Sequence, residues 1–116
     1  MINKIILIGN LGKDPEIRQT NEGKTVASFS LATSESWKDK NTGEKQTKSE
    51  WHKIVVFSEG LAKFVENYVK KGSKVYIEGS IKTRKWTDKK GVEQSITEVV
   101  LQGYGADLKL LTKKGE

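Results

Sequence analysis

The stretch Ser49-Glu50-Trp51-His52-Lys53-Ile54-Val55-Val56-Phe57 decides how the rest of this chain is interpreted. It is rich in β-branched and aromatic residues and contains neither Gly nor Pro, so it predicts a central strand. Side chains alternate between the two faces of a strand, which gives an ordinary core face to His52, Ile54 and Val56. The opposite face carries Trp51, Lys53, Val55 and Phe57. Large aromatic side chains beside a cation are unsuited to a bare surface, so either a second layer or a flat, negatively charged ligand covers this face.

The composition is that of one globular domain. With 116 residues, the chain is long enough to bury about two-thirds of its unfolded surface. It has no cysteine, which excludes disulfides and thiolate metal sites. The longest apolar run, Ile5–Ile8, is far too short to span a membrane, and the N-terminus lacks a secretory signal. We therefore expect a soluble, intracellular protein with no membrane partner.

Positive charge is concentrated in one short segment. The net charge is +6, and five of the 21 Lys and Arg residues, against one acid, fall within residues 82–90. Such a run is often only a solvated loop. This one contains Trp86, and an exposed indole costs solubility unless it is used. The segment is therefore a candidate anion-binding surface.

Most of the remaining chain is predicted to form strands. Besides the central strand, these are residues 2–8, 16–19, 25–35, 74–86 (with a bulge or bend at Gly79), 92–101 and 107–111. Along residues 25–35, one face carries Ala27, Phe29, Leu31 and Thr33; beyond Gly79, the side chains of Lys82, Arg84 and Trp86 are expected to project together. Gly9–Gly12 is predicted as a turn and not as a phosphate-binding loop, because the glycines are too close together and Pro15 follows. Residues 38–48 are predicted as a polar loop that joins two strands of a hairpin.

One segment has helical periodicity. Its apolar positions form a single stripe made of Leu61, Phe64, Val65, Tyr68 and Val69. This pattern predicts a core helix in which the aromatic residues of the stripe need no ligand to explain them. Lys70 and Lys71 are expected in its last turn, with Gly72 as the stop.

The order of elements predicts an all-β fold with little helix. Apart from the short segments 16–19 and 107–111, three strands, one helix and two further strands match the five-stranded Greek-key barrel known as the OB-fold, with its helix between the third and fourth strands. The element count alone also permits other small barrels.

Signals for catalysis are weak. His52 is the only histidine, and it lies on the apolar side of the central strand with no cysteine to pair with, although a Ser or carboxylate partner stays open. No spacing of carboxylates or histidines suggests a metal site. We therefore predict a protein that is not an enzyme, with no catalytic residue, no metal and no cofactor.

The three tryptophans lie next to cations: Trp37 precedes Lys38, Trp51 shares a face with Lys53, and Trp86 follows Lys85. Flat rings interleaved with Lys and Arg suit single-stranded nucleic acid, because bases stack on the rings while cations follow the phosphates. A duplex offers no free base faces. The alternative for each tryptophan is that it packs beneath a lysine stem.

Several segments resemble one known family. These are residues 6–16 (Ile-Leu-Ile-Gly-Asn-Leu-Gly-Lys-Asp-Pro-Glu), Ser34–Trp37, Glu50–Phe57, Lys71–Gly79 and Thr83–Asp88. In this order they are similar to the bacterial-type single-stranded DNA-binding proteins over residues 2–102. The resemblance implies an OB-fold domain over residues 1–111 that assembles as a homotetramer with DNA wrapped around it.

The resemblance also implies roles for single residues. Base stacking falls to Trp37, Trp51, Phe57 and Trp86, and phosphate contacts fall to Arg18, Lys53, Lys70, Lys71, Lys82 and Arg84. His52 matches a subunit-interface histidine. Members of this family usually continue into a flexible linker with an acidic tip that recruits replication and repair proteins. Residues 112–116 are expected to be the start of such a tail, trimmed here.

The sequence thus predicts sequence-independent binding and protection of single-stranded DNA in replication, recombination and repair. A bacterial cytoplasm with association to the nucleoid is expected, in preference to a mitochondrial matrix. One alternative is a dimeric, primosome-type accessory barrel that tolerates RNA, which should lack most of the tryptophans. A carbohydrate-binding module would also stack ligands on Trp, but with few cations near the rings.

Overall fold

The computed structural model describes residues 1–112, so most of the predicted tail segment 112–116 lies outside the described residues. Across the described part, the chain forms seven strands and one helix. They are β1 (Ile5–Leu11), β2 (Glu16–Gln19), β3 (Thr25–Lys38), β4 (Lys45–Val56), α1 (Glu59–Tyr68), β5 (Lys74–Thr87), β6 (Glu93–Leu101) and β7 (Asp107–Leu110).

Five of the strands close into a ring. β1 pairs with β3, β3 with β4, β4 with β6, β6 with β5, and β5 again with β1. Only the pairing of β4 with β6 is parallel among these contacts. The short strands β2 and β7 are added outside the ring, on β3 and β5 respectively. Since α1 lies between the third and fourth strands of the ring, the predicted OB-fold barrel is confirmed.

The core fills the inside of this ring. Its largest fully buried side chains are Leu31, Ile54, Val56, Val65, Val75, Ile77 and Leu101. The predicted core face of β4 is therefore correct at Ile54 and Val56, and β3 buries Ala27, Phe29 and Leu31 as its alternation indicated. α1 closes one end of the ring with Ala62 and Val65. No helix within residues 1–112 has the length and apolar character needed to cross a membrane.

Two glycines allow the ring to close. β5 pairs with β1 up to Gly79 and with β6 from Ser80 onward, and a Cβ at Gly79 would lie 2.6 Å from the Val100 carbonyl oxygen. A Cβ at Gly9 would lie 2.2 Å from the Ala32 carbonyl oxygen. The predicted bulge or bend at Gly79 falls where β5 changes partner, and the residue is glycine because two backbones approach too closely for any side chain.

The hairpin of β3 and β4 is much longer than predicted. Instead of a loop over residues 38–48, the strands stay paired as far as Lys38 and Lys45. Polar side chains stabilise this extension across the strands, with Ser34 Oγ 2.8 Å from Ser49 Oγ. The extension lies beyond the core, so its residues carry no hydrophobic alternation that a sequence pattern could detect.

The first strand begins and ends later than predicted. Residues 9–11 belong to β1 because their backbones pair with β3 and β5, whereas Ile2 is exposed. Asn3 takes the place of a strand residue: its side-chain amide donates to the Ile81 carbonyl at 2.8 Å, and its oxygen accepts from the Ile81 N–H at 2.9 Å.

The helix ends one residue earlier than its apolar stripe suggests. Val69 has extended backbone angles, so Lys70 and Lys71 follow the helix in a turn and do not lie in its last turn. Tyr68 is 61% exposed and leans on Phe64, with ring centroids 5.0 Å apart. The assignment of Tyr68 to the core is therefore wrong: its neighbour Val69 is buried in the core, whereas the Tyr68 ring packs on Phe64 at the surface.

We expect Gly9→Ala to lower the free energy of unfolding by about 3 kcal/mol, because the new Cβ meets a backbone carbonyl that cannot move independently of β3. Gly60→Ala is the matched control: nothing lies within 4 Å of its Cβ, and alanine favours the first turn of α1 by up to about 1 kcal/mol. Urea denaturation of both variants measures the difference. Equal stability of the two variants would contradict the role given to Gly9.

Candidate nucleic-acid interface

A basic groove of about 540 Å³ crosses one face of the barrel. Its floor includes Val55 of β4 and Val100 of β6, which are neighbours in the parallel pairing. The functional side chains that line it are Arg18, Lys53, Phe57, Lys82, Arg84 and Glu98. The fold thus brings together four of the six predicted phosphate-contact cations and one predicted stacking residue, drawn from β2, β4, β5 and the end of β4.

The four cations of the groove differ in whether a nearby carboxylate compensates their charge. Arg18 Nη2 lies 2.8 Å from Glu16 Oε1, and Arg84 Nε donates to Glu98 Oε1 at 2.8 Å. Within residues 1–112, neither Lys53 nor Lys82 makes a salt bridge. The two lysines therefore carry the groove's uncompensated positive charge.

Glu98 is the acid that sequence reasoning missed. Only 6% of its surface is exposed, and its Oε2 has no hydrogen-bond partner in the described part of the chain. Burial of a carboxylate is tolerated because the Arg84 guanidinium is bound to it. The same hydrogen bond raises the pKa of Arg84 and holds its Cζ 5.7 Å from the centroid of the Trp86 ring. Glu98 thus positions both side chains at the groove's edge.

Trp86 stands near the end of the β5–β6 hairpin, on the same face as Arg84 and 44% exposed. The turn beyond it is held by Asp88, whose Oδ1 accepts from the N–H groups of Lys90 and Val92, both at 2.9 Å. The N–H of Val92 is the main cause of the lowered pKa of Asp88, and the Gln94 amide adds to it. The turn is therefore an ordered support for the tryptophan.

Trp51 is placed by a glycine. It lies two residues before Lys53 on the same face of β4, and it is 60% exposed. A Cβ on Gly12 would lie 2.6 Å from both Cζ3 and Cη2 of the indole, so the ring rests directly on the Gly12 backbone. The backbone of Gly12 is not left-handed, so only this contact requires glycine there. The sequence offered no signal for this role.

Trp37 is not brought together with Trp51. The register of β3 and β4 is unbroken from Ala27 to Lys38, with Trp37 opposite Gln46 and Ala32 opposite Trp51. Because side chains alternate, Trp37 projects from the face of this hairpin that Trp51 does not use. It is 50% exposed and lies toward the tip, outside the groove.

Lys70 and Lys71 also lie outside the groove. Their turn is fixed to the end of β1: the N–H of Gly72 donates to the Leu11 carbonyl at 2.9 Å, and the N–H of Lys71 donates to Asp14 Oδ1 at 2.8 Å. The segment that accepts these two hydrogen bonds, at the end of β1, also contains Gly12, on which the Trp51 ring rests. Lys70 and Lys71 are therefore grouped with Trp51 and not with the four cations that line the groove.

His52 is half-buried where β3 and β4 leave the ring. Its Nε2 lies 2.8 Å from Thr33 Oγ1, on the face that carries Ile54 further along β4. No cluster of three or more His, Cys, Asp or Glu that could hold a metal ion occurs in the part of the chain that the structure describes.

A second surface, on the outside of β1 and β5, was not predicted. Ile6 and Ile8 are 53% and 49% exposed there, opposite Glu78 and Tyr76 in the strand pairing. Glu78 accepts a hydrogen bond from the Tyr76 hydroxyl, which lowers the pKa of Glu78 and raises that of Tyr76, and Lys4 Nζ lies 3.3 Å from Glu78. The unbroken apolar run Ile5–Ile8 could have indicated this second surface, because a strand that is apolar on both faces is usually covered on both faces.

The barrel and its groove define a class of protein. A five-stranded Greek-key barrel that presents a cationic groove with exposed aromatic rings belongs with the oligonucleotide-binding barrels. Residues 2–110 match the model of the Single-strand binding protein family, and the chain belongs to that family.

Individual relatives agree with this membership. The chain is 56% identical over 114 residues to the single-stranded DNA-binding protein of Rhizobium meliloti, covering 98% of this chain and 66% of that protein. It is 58% identical over 113 residues to the protein of the same name from Rickettsia typhi, covering 97% of this chain and 74% of the relative. A solved structure described as Plasmodium falciparum SSB complex with ssDNA is similar, with a TM-score of 0.86, 43% identity and 97% of each chain covered.

We expect Gly12→Ala to weaken binding of oligothymidylate about tenfold, because its Cβ displaces the Trp51 ring while the backbone accepts alanine. Tryptophan fluorescence quenching measures the affinity. The loss should disappear when Trp51→Ala is already present, since no ring is then left to displace. Gly60→Ala is the control and should bind normally. A Gly12→Ala effect that persists without Trp51 would contradict the positioning role.

Proposed function

We propose that this chain binds single-stranded DNA without sequence preference and protects it during replication, recombination and repair. The observation that carries the proposal is the groove, in which Lys53, Lys82 and Arg84 lie around Phe57 with exposed Trp51 and Trp86 beyond. Cations at this spacing follow a phosphate backbone while rings receive the bases. Both contacts tolerate any base, which accounts for the lack of sequence preference.

The exposed rings favour a single strand over a duplex. Trp51 and Trp86 offer indole faces that are about half open to solvent, and a duplex keeps its base faces stacked inside. The membership in the Single-strand binding protein family and the likeness to a structure described as bound to ssDNA support the same ligand.

The central phosphate contacts are assigned to Lys53 and Lys82. Arg18 and Arg84 share their charge with Glu16 and Glu98, so they add shape and hydrogen bonds more than net attraction. The turn that carries Lys70 and Lys71 is bonded to the segment at the end of β1 that supports the Trp51 ring. These two lysines are assigned to phosphates of the DNA strand where it leaves the groove at that end. Trp37 is assigned to a base reached only as the strand turns around the β3–β4 hairpin, because it projects from the other face.

We also propose a homotetramer, joined through the outer surface of β1 and β5. Half-exposed Ile6 and Ile8 beside Tyr76 form an apolar patch that a second copy would cover. The patch lies outside the ring and shares no residue with the groove, so assembly leaves the DNA surface free. His52 is assigned to a further subunit contact, which its half-buried place at the edge of the ring permits.

The cellular setting is part of the proposal. The relatives from Rhizobium and Rickettsia support a bacterial cytoplasm, with the protein at the nucleoid where single strands arise. We propose binding without catalysis, in keeping with a family defined by binding. The chain covers 66–74% of these relatives, so recruitment of replication and repair proteins through an acidic tail remains a prediction about a longer protein.

We expect Trp51→Ala and Trp86→Ala each to weaken oligothymidylate binding about tenfold or more, because each removes one stacked base. Lys53→Ala and Lys82→Ala should instead reduce the slope of log affinity against log salt by about 0.7 each. Fluorescence quenching at several salt concentrations separates the two effects.

Lys63→Ala is the control for charge, since this lysine lies on α1, outside the groove, and pairs with Glu59. Its salt slope should match that of the unaltered chain. Unchanged binding in both tryptophan variants would show that the stacking assignment is wrong.

We expect light scattering to give four times the chain mass of 13.0 kDa, and Ile8→Glu to lower it, because a carboxylate would then be buried opposite Tyr76, whose hydroxyl already donates to Glu78. Val92→Glu is the matched control, an equally exposed aliphatic side chain in the β5–β6 turn, and should leave the mass unchanged. A mass of one chain for the unaltered protein would refute the tetramer.

A further inference from the structure

Tyr104 is an aromatic side chain that neither the core nor the groove uses. It lies in the turn between β6 and β7 and is fully exposed, at 109% of its reference surface. The glycines on either side have left-handed backbones, with φ of +71° at Gly103 and +85° at Gly105. The Tyr104 ring therefore projects into solvent, where the ring contributes nothing to the stability of the barrel.

The surface around Tyr104 continues from the basic groove. A smaller depression of about 110 Å³ is lined by Tyr104, Lys4, Asn3 and Ser80. Val100 and Gln102 line both this depression and the groove. A strand that leaves the groove across β6 would therefore meet the Tyr104 ring next, with the Lys4 ammonium in the same depression.

We infer that Tyr104 is a further stacking site for one base of single-stranded DNA, reached past Gln102. The inference rests on the proposed function, since it extends the path of the same strand. Every base has a flat face, so an open phenol ring serves as a platform for any of them.

The local charge indicates that stacking, not attraction of phosphate, makes this contact. Lys4 is paired with Glu78 at 3.3 Å, and Asp107 lies opposite Glu78 in the pairing of β5 with β7. Lys4 is the one cation among the described residues that line this depression, and it is compensated, so the depression adds little to phosphate attraction. Tyr104 should therefore alter affinity while leaving the salt dependence of binding unchanged.

The test compares Tyr104→Ala with the ring-preserving Tyr104→Phe across a length series of oligothymidylates, from about 4 to about 16 nucleotides. Short oligomers fill the groove without reaching the turn, and long ones extend past it. We expect Tyr104→Ala to bind the long oligomers about fivefold more weakly and the short ones normally, with the salt slope unchanged. Tyr104→Phe should match the unaltered chain at every length.

Crosslinking gives a second readout. Irradiation of the unaltered protein with a 5-bromodeoxyuridine oligomer of the longer length should yield an adduct on Tyr104, identified by peptide mass mapping. Normal binding by Tyr104→Ala at every length, or an equal loss at every length, would overturn the inference. A change in assembly mass would also overturn it, because the ring would then belong to a contact between copies.

Failure of the proposed function is distinguishable from failure of this inference. If oligothymidylate does not quench the unaltered chain, the proposed function fails, and the Tyr104 site with it. If the unaltered chain binds and Tyr104→Ala behaves identically, only the Tyr104 site fails.

Discussion

Closure of the ring depends on one exchange of hydrogen-bond partners along β5. Up to Gly79 this strand pairs with β1, and from Ser80 it pairs with β6. The exchange is possible because the absence of a side chain lets the Val100 carbonyl approach the backbone. Five strands then have no free edge within the ring, and the parts of β3, β4, β5 and β6 beyond it are free to project as two hairpins.

Those hairpins explain how large aromatic rings stay exposed without collapsing onto the core. The β3–β4 hairpin is held by a ladder of polar pairs such as Ser34 with Ser49, so it needs no apolar partner. Trp51 is kept in place by the flat backbone of Gly12, and Trp86 lies beside an arginine that is itself tied to Glu98. In both cases a small or buried residue fixes a large exposed ring, so little side-chain entropy would be lost if a base stacked on it as proposed.

The sequence predicted the parts of the fold that hydrophobic alternation encodes. The faces of Ile54, Val56, Phe29 and Leu31 were correct because they border the core, and the pattern is strict there. It failed for the extended hairpin, whose side chains other than Trp37 are polar on both faces, and for Tyr68, which belongs to the helical stripe but packs on Phe64 at the surface.

The structure gathers part of the predicted site in one groove, and the arrangement of that groove could not be predicted from the sequence. Parity along one strand correctly grouped Lys82 with Arg84, and Trp51 with Lys53, since the register along a strand follows from counting. Which strands become neighbours is decided when the ring closes. The sequence alone therefore could not show that Arg18 and Lys53 line the same groove. The role of Glu98 could not be predicted for the same reason, because this acid on β6 becomes a groove residue only when β5 places Arg84 against it.

Glu98 also sets a limit on how basic the groove is. A surface of four free cations would hold a polyanion tightly, and a buried carboxylate among them offsets part of that attraction. Two of the four cations are paired, which leaves Lys53 and Lys82, on β4 and β5, as the free charges. With the rings and the two lysines as the proposed contacts, stacking would hold a single strand at any salt concentration, and added salt would weaken only the ionic part of the binding.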